Sequence, residues 1–341
     1  MVVKLLTDDY NLEYERFLHN NDGAMIYYSL KFRDFLQKLT NGYSNYYIAI
    51  DDVGQVVGVL PLMIKPGMYG KVINSLPYYG SNGGILSENE DAKTALLDKY
   101  LEILSGKDIA ASTIVGNPLD KNYNYSLIKS NEADFRIGQF TDISGELATI
   151  EDLLLKFHSK TRNIIRKAIK SDVTVKIENN MFNFLEETHN ENMLTIGGLA
   201  KTKDFFRLIP EVFSAGLDYN VYVARHNDIP VAAVLVLYFG KVVEYYTPVI
   251  VKEYRHLQAL SFLITQSMFD ANHHGFRLWN WGGTWKSQGG VYDFKSKWGT
   301  EDKEYTYHVS ILNEELYNCS KDELLNQYSG FYVLPFSLLK S

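Results

Sequence analysis

At 341 residues the chain is long enough for two domains of ordinary size. Its formal net charge of -7 argues against a protein that coats nucleic acid at large, and leaves room for a local basic site. Charged residues make up 22% and hydrophobic ones 46%, a globular composition, and the longest apolar run, Val231 to Phe239, is too short to cross a bilayer. Cys319 is the only cysteine, which excludes an internal disulfide and points to a reducing compartment. The opening "MVVKLLTDDY" meets Asp8 and Asp9 before an apolar region can build, unlike a signal peptide, so a cytoplasmic location is expected.

Along the first half, "YIAIDDVGQVVGVLPL" from Tyr47 reads as a strand, a turn over Asp51 to Gly54, and a second strand. A third strand, "INSLPYYG", leads into the glycine-rich stretch "PYYGSNGGIL", Pro77 to Leu86. That stretch lacks the Gly-Lys-Ser/Thr ending of a nucleotide P-loop, and reads either as a substrate-facing loop or as a tight structural turn.

The second half repeats the order. "YVARHNDIPVAAVLVL" from Tyr222 aligns without a gap to the stretch from Tyr47, so that Tyr47 meets Tyr222, Ala49 meets Ala224 and Leu60 meets Leu235. "VVEYYTP" then stands where "INSLPYYG" stood. A repeat of this length signals duplicated architecture, with one domain over 1–145 and another over 146–341. Ahead of the repeated hairpin, Thr149 and Asp152 read as a capping box opening one helix that runs to about Ser171, followed by the strand "VTVKIE" and helical stretches to about Leu217. After it, "RHLQALSFLITQSMFDANHHG" carries apolar residues at helical spacing with Gly275 as a cap, and "FRLWNWGG" reads as a strand. The fold class is therefore α/β, a mixed α+β arrangement of two similar halves, each a mixed sheet flanked by helices.

Three segments could carry chemistry. Between Lys156 and Lys176 stand seven basic residues with only Asp172 against them, and Arg162, Arg166 and Lys170 form one helical stripe. Such a stripe suits phosphate or an RNA backbone, though a solvated face has the same pattern. "GGVYDFKSKWGT", residues 289–300, sets Lys295 and Lys297 among Phe294, Trp298 and three glycines. Read as an extended segment, it points both lysines to one side. The turn into the main helix, Arg255-His256-Leu257-Gln258-Ala259-Leu260, holds side chains where a pyrophosphate-binding turn would hold glycines. Adjacent His273 and His274 lack the carboxylate spacing of a metal site, so no metal is expected.

With these segments assembled, "KFHSKTRNIIRKAIKSDVTVKI", "EYYTPVIVKEYRHLQALSFLITQSMFDANHHGFRLWNWGG" and "GGVYDFKSKWG" resemble the Fem family of peptidoglycan-bridge aminoacyltransferases and their relatives with a BioF2-like acetyltransferase domain. The resemblance is firm over about residues 145–300 and looser before them. It implies two tandem GNAT-like domains, the first on the acceptor side and the second on the donor side. The implied reaction moves an aminoacyl or acyl group to an amine of a cell-wall or surface-polysaccharide precursor, without a covalent enzyme intermediate. The co-substrate it implies is aminoacyl-tRNA, with acyl-CoA as the alternative and no tightly bound cofactor. It implies no DNA partner and no transmembrane segment, with peripheral contact to a lipid-linked substrate left open. An acyl-CoA-dependent enzyme acting on an amino sugar, or a non-catalytic binding protein of the same fold, are the competing readings.

The same resemblance assigns residues. Lys295, with Tyr246, would be catalytic. Lys160, Arg162, Arg166, Arg255 and Lys297 would hold the donor's phosphates. Tyr78, Tyr79, Lys201, Tyr245 and Phe294 would face the acceptor. Lys201 and Phe205 stand where peptidoglycan-type members carry an Arg and a Tyr, and a lysine there keeps the charge without the bidentate fork.

Overall fold

A hairpin, a helical crossover and a parallel return strand occur twice in the computed structural model, which describes residues 1–120, 125, 127–285 and 287–339. The chain divides into two compact units, one of Met1–Ile137 with Lys303–Ser341, the other of Gly138–Asp302. These units differ from the expected halves, because Lys303–Ser341 returns to the first. Strand Thr300–Ile311 carries it there, pairing antiparallel with Ile109–Val115 from Tyr307↔Val115 to Ile311↔Ala111.

In the first unit, Met63–Gly67 and Gly70–Asn74 form the hairpin. Helix Glu90–Leu104 crosses, and Ile109–Val115 returns parallel to Gly70–Asn74. A parallel pair needs such a crossover, since a tight turn can join only antiparallel strands. The hairpin expected from Tyr47 forms as well, between Tyr47–Ile50 and Val56–Leu60. It joins Val2–Leu5 in a separate three-stranded sheet instead of continuing into the next strand. The break follows Leu60 because Pro61 has no N–H to give a ladder.

In the second unit we number the elements from its own start. They are β1 (Glu132–Asp142, of which the second unit holds the part from Gly138), α1 (Ile150–Leu154), α2 (Ser159–Ile169), β2 (Val173–Ile177), α3 (Phe182–Ile196), α4 (Lys203–Val212), β3 (Tyr219–His226), β4 (Ile229–Phe239), β5 (Val242–Ile250), α5 (Ala259–His273), β6 (Leu278–Thr284) and α6 (Gly289–Ser296). The sheet runs β1-β6-β5-β4-β3-β2, with β5 and β6 parallel and α5 between them in the chain. Leu263, Ile264 and Met268 of α5 pack with Val234, Val236, Val243, Trp279 and Trp281 of the sheet, all buried. These side chains follow the period of 3.6 on the helix and of 2 on the strands, which is why the pattern was readable.

The duplicated hairpins share a finer detail. Each carries a β-bulge at the aligned position, between Ala49 and Ile50 in one and between Ala224 and Arg225 in the other. Their turns differ. The β3–β4 turn is Asn227-Asp228, both left-handed, with φ of 50° and 63°. A two-residue turn of this kind favours glycine at the second place. Asp228→Gly is therefore expected to stabilise the protein by about 0.5–1 kcal/mol, read as a higher melting temperature in calorimetry.

The single helix expected over 151–170 is two helices. Asp152 accepts from the N–H and hydroxyl of Thr149, opening α1 as the capping reading required. The chain then leaves the helix so that Phe157 can bury, and His158 caps α2 by accepting from the Lys160 N–H.

Candidate active site

The parallel strands β5 and β6 stay in register for three pairs, Val242↔Leu278, Val243↔Trp279 and Glu244↔Asn280, and then part. The last pair is polar and buried, with Asn280 Nδ2 donating to both Glu244 carboxylate oxygens at 3.0 and 2.8 Å. Beyond it, β5 remains paired with β4 but carries a bulge. Val236 faces Tyr245 and Leu235 faces Thr247, which leaves Tyr246 as the extra residue. A bulge bends the strand and takes a peptide group out of the ladder. On the other side, Gly282 of β6 takes φ +74° and gives its N–H to Asn280 Oδ1 at 2.9 Å. Two local irregularities therefore steer two neighbouring strands apart at one point, leaving peptide groups of both strands outside the ladder.

Lys295 stands at the β6 side of this divergence. The segment expected to be extended is helix α6, on which residues two apart cannot share a face. Lys295 accordingly turns inward, 7% exposed, while Lys297 caps the helix and is exposed. The Lys295 ammonium donates to Thr284 Oγ1 at 2.7 Å and to the Gly282 carbonyl at 3.4 Å. Among the described residues no carboxylate pairs with it. Burial pushes its pKa down to about 8, so it is mostly charged at neutral pH. Phe294 and Trp298, one helical turn apart, hold α6 in place by packing edge-on to each other and both against Trp281.

A second ammonium meets the β5 side. Lys201, 8% exposed, donates to the Tyr246 carbonyl at 2.9 Å and to Thr247 Oγ1 at 2.7 Å. It lies 4.5 Å from the Tyr246 ring centroid and 4.8 Å from that of Phe205. Burial pushes its pKa down to about 7, and the His189 that accepts from its N–H is pushed down to about 4 by burial and then by the lysine's charge. Lys201 thus grips the carbonyl that the bulge releases. Tyr245, next in the chain, packs against Trp279 and Trp281, so the two tyrosines serve different surroundings.

The expected phosphate-binding residues are not equivalent. Arg166 is paired with Glu151, whose carboxyl it holds below the usual range. Arg162 gives one N–H to the Phe157 carbonyl at 2.9 Å, and Lys160 and Arg255 are exposed. The first turn of α2 nevertheless lies beside the end of α6, where the His158 N–H donates to the Lys297 carbonyl and Phe157 packs 5.1 Å from Trp298. Lys160, Arg162 and Lys297 are therefore neighbours by construction of the fold. Tyr78 and Tyr79 belong to the first unit, their rings edge-to-face at 4.7 Å, with Tyr78 at φ +66° and its N–H on the Gly330 carbonyl.

Glu244, Asn280, Gly282 and Thr284 escaped the sequence reading. Their signal was present as isolated polar residues within "VVEYY" and "WNWGGT", strands otherwise aromatic or β-branched. The turn before α5 was read more fully. Gln258 adopts φ +57°, the left-handed geometry a glycine would give, but places a side chain there.

Residues 159–296 match the family model described as "Acetyltransferase (GNAT) domain". Among solved structures, the chain is similar to FemX, at 18% identity and a TM-score of 0.72, with 93% of this chain and 99% of that one covered. It is similar also to the C-terminal domain of a putative lysylphosphatidylglycerol synthetase from Agrobacterium fabrum, at 10% identity and a TM-score of 0.56, covering 96% and 98%. A tandem GNAT protein from the clavulanic acid biosynthesis pathway aligns at 10% identity and a TM-score of 0.52, covering 91% and 98%. A search of the curated proteins finds no match. No helix among the described residues is long and apolar enough to cross a membrane.

Proposed function

We propose, for a chain whose residues 159–296 match a GNAT acetyltransferase domain and whose fold is similar to that of FemX, N-acylation by direct attack on a cell-envelope precursor. A neutral amine of the acceptor adds to the carbonyl carbon of an ester or thioester. A C–N bond forms, the carbonyl electrons move to oxygen, and the C–O or C–S bond to the donor then breaks. The observation that carries the reading is the buried Lys295 ammonium, which holds two neutral oxygens and, among the described residues, no counter-charge where β5 and β6 part. A desolvated cation of this kind is preorganised for an oxyanion that exists only along the reaction path. The departing donor oxygen or sulfur takes the proton that the amine gives up, directly or through water.

Aminoacyl-tRNA is the donor we favour. Its support is the exposed basic start of α2 beside α6 and the side chains of Gln258 and Leu260 where a pyrophosphate cradle needs glycine. The name of the putative synthetase relative, which pairs lysyl with phosphatidylglycerol, favours a lipid-linked envelope acceptor over a soluble metabolite. Acyl-CoA is the second reading, favoured by the net charge of -7. Retention on immobilised tRNA that falls steeply with salt, against weak retention on immobilised CoA, is the expected result. The reverse would make this a CoA enzyme. Transfer of a labelled aminoacyl group from charged tRNA to an envelope precursor extract then tests the reaction itself.

The pH profile supplies a further check. Lys295 acts in its charged form, and its pKa is pushed down to about 8. On the alkaline side kcat/KM is expected to fall as pH rises through about 8. Lys295→Arg, which stays charged, should remove that falling limb. A wild-type profile that climbs unbroken past pH 9 would count against the role given to Lys295.

A further inference from the structure

The last turn of α3 carries the most exposed large apolar side chain among the described residues, Leu194 at 84%, with Ile196 and Leu199 beside it in the chain at 68% each. Leu194 and Ile196 stand two apart on a helix and so do not share a face. Both can be bare only where the helix end stands clear of the unit. The helix stops with the paired bonds of a Schellman end. Gly198 N–H donates to the Met193 carbonyl at 2.9 Å and Gly197 N–H to that of Leu194 at 3.3 Å, with Gly197 at φ +65°. An apolar side chain at the place of Gly198 frequently folds back over the last turn. A glycine has none to fold back, and the turn stays uncovered. Residues 192–200 include no charged side chain. Their place in the fold is fixed at both ends. Asn192 exchanges two hydrogen bonds with the Ile250 backbone, at 2.9 and 3.0 Å, which ties the turn to the last residue of β5, beyond the point where β5 and β6 part. Lys201, at the other end, holds the Tyr246 carbonyl. The bare turn therefore stands at the open end of the diverging strands, on the Lys201 side.

We propose that turn 193–199 is an interfacial anchor, inserting Leu194, Ile196 and Leu199 among the acyl chains of a lipid bilayer so that the open end of β5 faces the headgroups. Shape and charge argue for this occupant. A convex turn whose apolar tips point several ways offers no flat face to a folded partner, whereas a fluid acyl layer closes around any shape and asks only for apolar area. The exposed charges that flank the turn in the chain are of both signs, Glu191 before it and Lys203 after it, as are Lys252 and Glu253 beyond Ile250. A mixed rim of this kind complements zwitterionic headgroups. The inference rests on the acyl-transfer reading for its purpose, and adds to it an acceptor amine that is carried at a lipid surface.

The test uses the whole chain and vesicles of phosphatidylcholine, alone or with an equal part of phosphatidylglycerol, read by co-sedimentation. Wild type is expected to partition onto both to a similar extent. Leu194→Ser combined with Ile196→Ser is expected to lower the partition coefficient at least about tenfold, because each exchange forfeits the burial of a large aliphatic side chain. The melting temperature should not change, since both side chains are exposed in the free protein. Leu199→Ser, outside the helix, repeats the measurement should the double variant melt lower. Val53→Ser, at a side chain 79% exposed on a turn of the first unit, is expected to bind as wild type does. The proposal is overturned by wild type that binds neither vesicle or only the phosphatidylglycerol one, by serine variants that bind undiminished, or by an equal loss in Val53→Ser. A wild type that is dimeric by analytical ultracentrifugation, and monomeric in the double variant, would give the turn to a second copy and overturn it too. Lys295→Met is expected to bind vesicles as wild type does and to lack turnover, so failure of the anchor and failure of the acyl-transfer reading are read apart.

Discussion

Lys295→Ala is expected to lower kcat/KM for acyl transfer by about 10²- to 10³-fold, the loss typical of one oxyanion donor. The expectation rests on how the lysine is held. Its ammonium is 7% exposed, bonded to Thr284 Oγ1 and the Gly282 carbonyl, and faces no carboxylate among the described residues. An ammonium buried for structure alone would be costly, since desolvation of an unpaired charge is repaid only in part by two neutral acceptors. Lys295→Met, which fills the same space without charge, should accordingly fold at least as stably as wild type and still lack turnover. Retained activity in that variant would remove Lys295 from the chemistry.

Trp298→Ala should have the largest effect on stability, costing about 3–5 kcal/mol. The indole is 1% exposed and touches Phe157 ahead of α2, Phe294 on α6 and Trp281 on β6. Removing it opens a cavity at the point where three elements depend on one ring. The loss should appear as a lower urea midpoint by circular dichroism. Hydrogen exchange should speed up first in α6 and the end of β6, because those amides lose their packing directly. Trp298→Phe, which refills part of the space, should recover a portion of both. An unchanged midpoint in the alanine variant would contradict the packing described.

The architecture was legible where hydrophobic period and turn chemistry agree. The strands from Tyr47 and Tyr222, the apolar stripe of α5 and the Thr149–Asp152 start of α1 all appear where their patterns place them. That the end of α6 lies beside the start of α2, with the His158 N–H on the Lys297 carbonyl, is a product of the fold that neither segment's pattern specifies. What failed to show depends on contacts between distant residues. "GGVYDFKSKWGT" has two glycines at its start and no capping side chain, so its helix comes from packing of Phe294 and Trp298 on Trp281 and not from local preference. The commitment of Arg166 to Glu151 likewise spans two helices that the sequence ran together. Lys201 was assigned to the acceptor by resemblance alone, and only the bulge at Tyr246 explains why an amine is wanted indoors.

The placement of Lys303–Ser341 bears on how the molecule is made. Residues 138–302 are all synthesised before Tyr307–Ile311 exist to flank Ile109–Val115, a strand whose seven residues are all buried. The inserted unit can thus mature on the ribosome while the surrounding one waits, one side of a hydrophobic strand bare, for the last stretch of nascent chain. Any premature stop near residue 300 would spare the unit that carries Lys295 and leave its host unable to close.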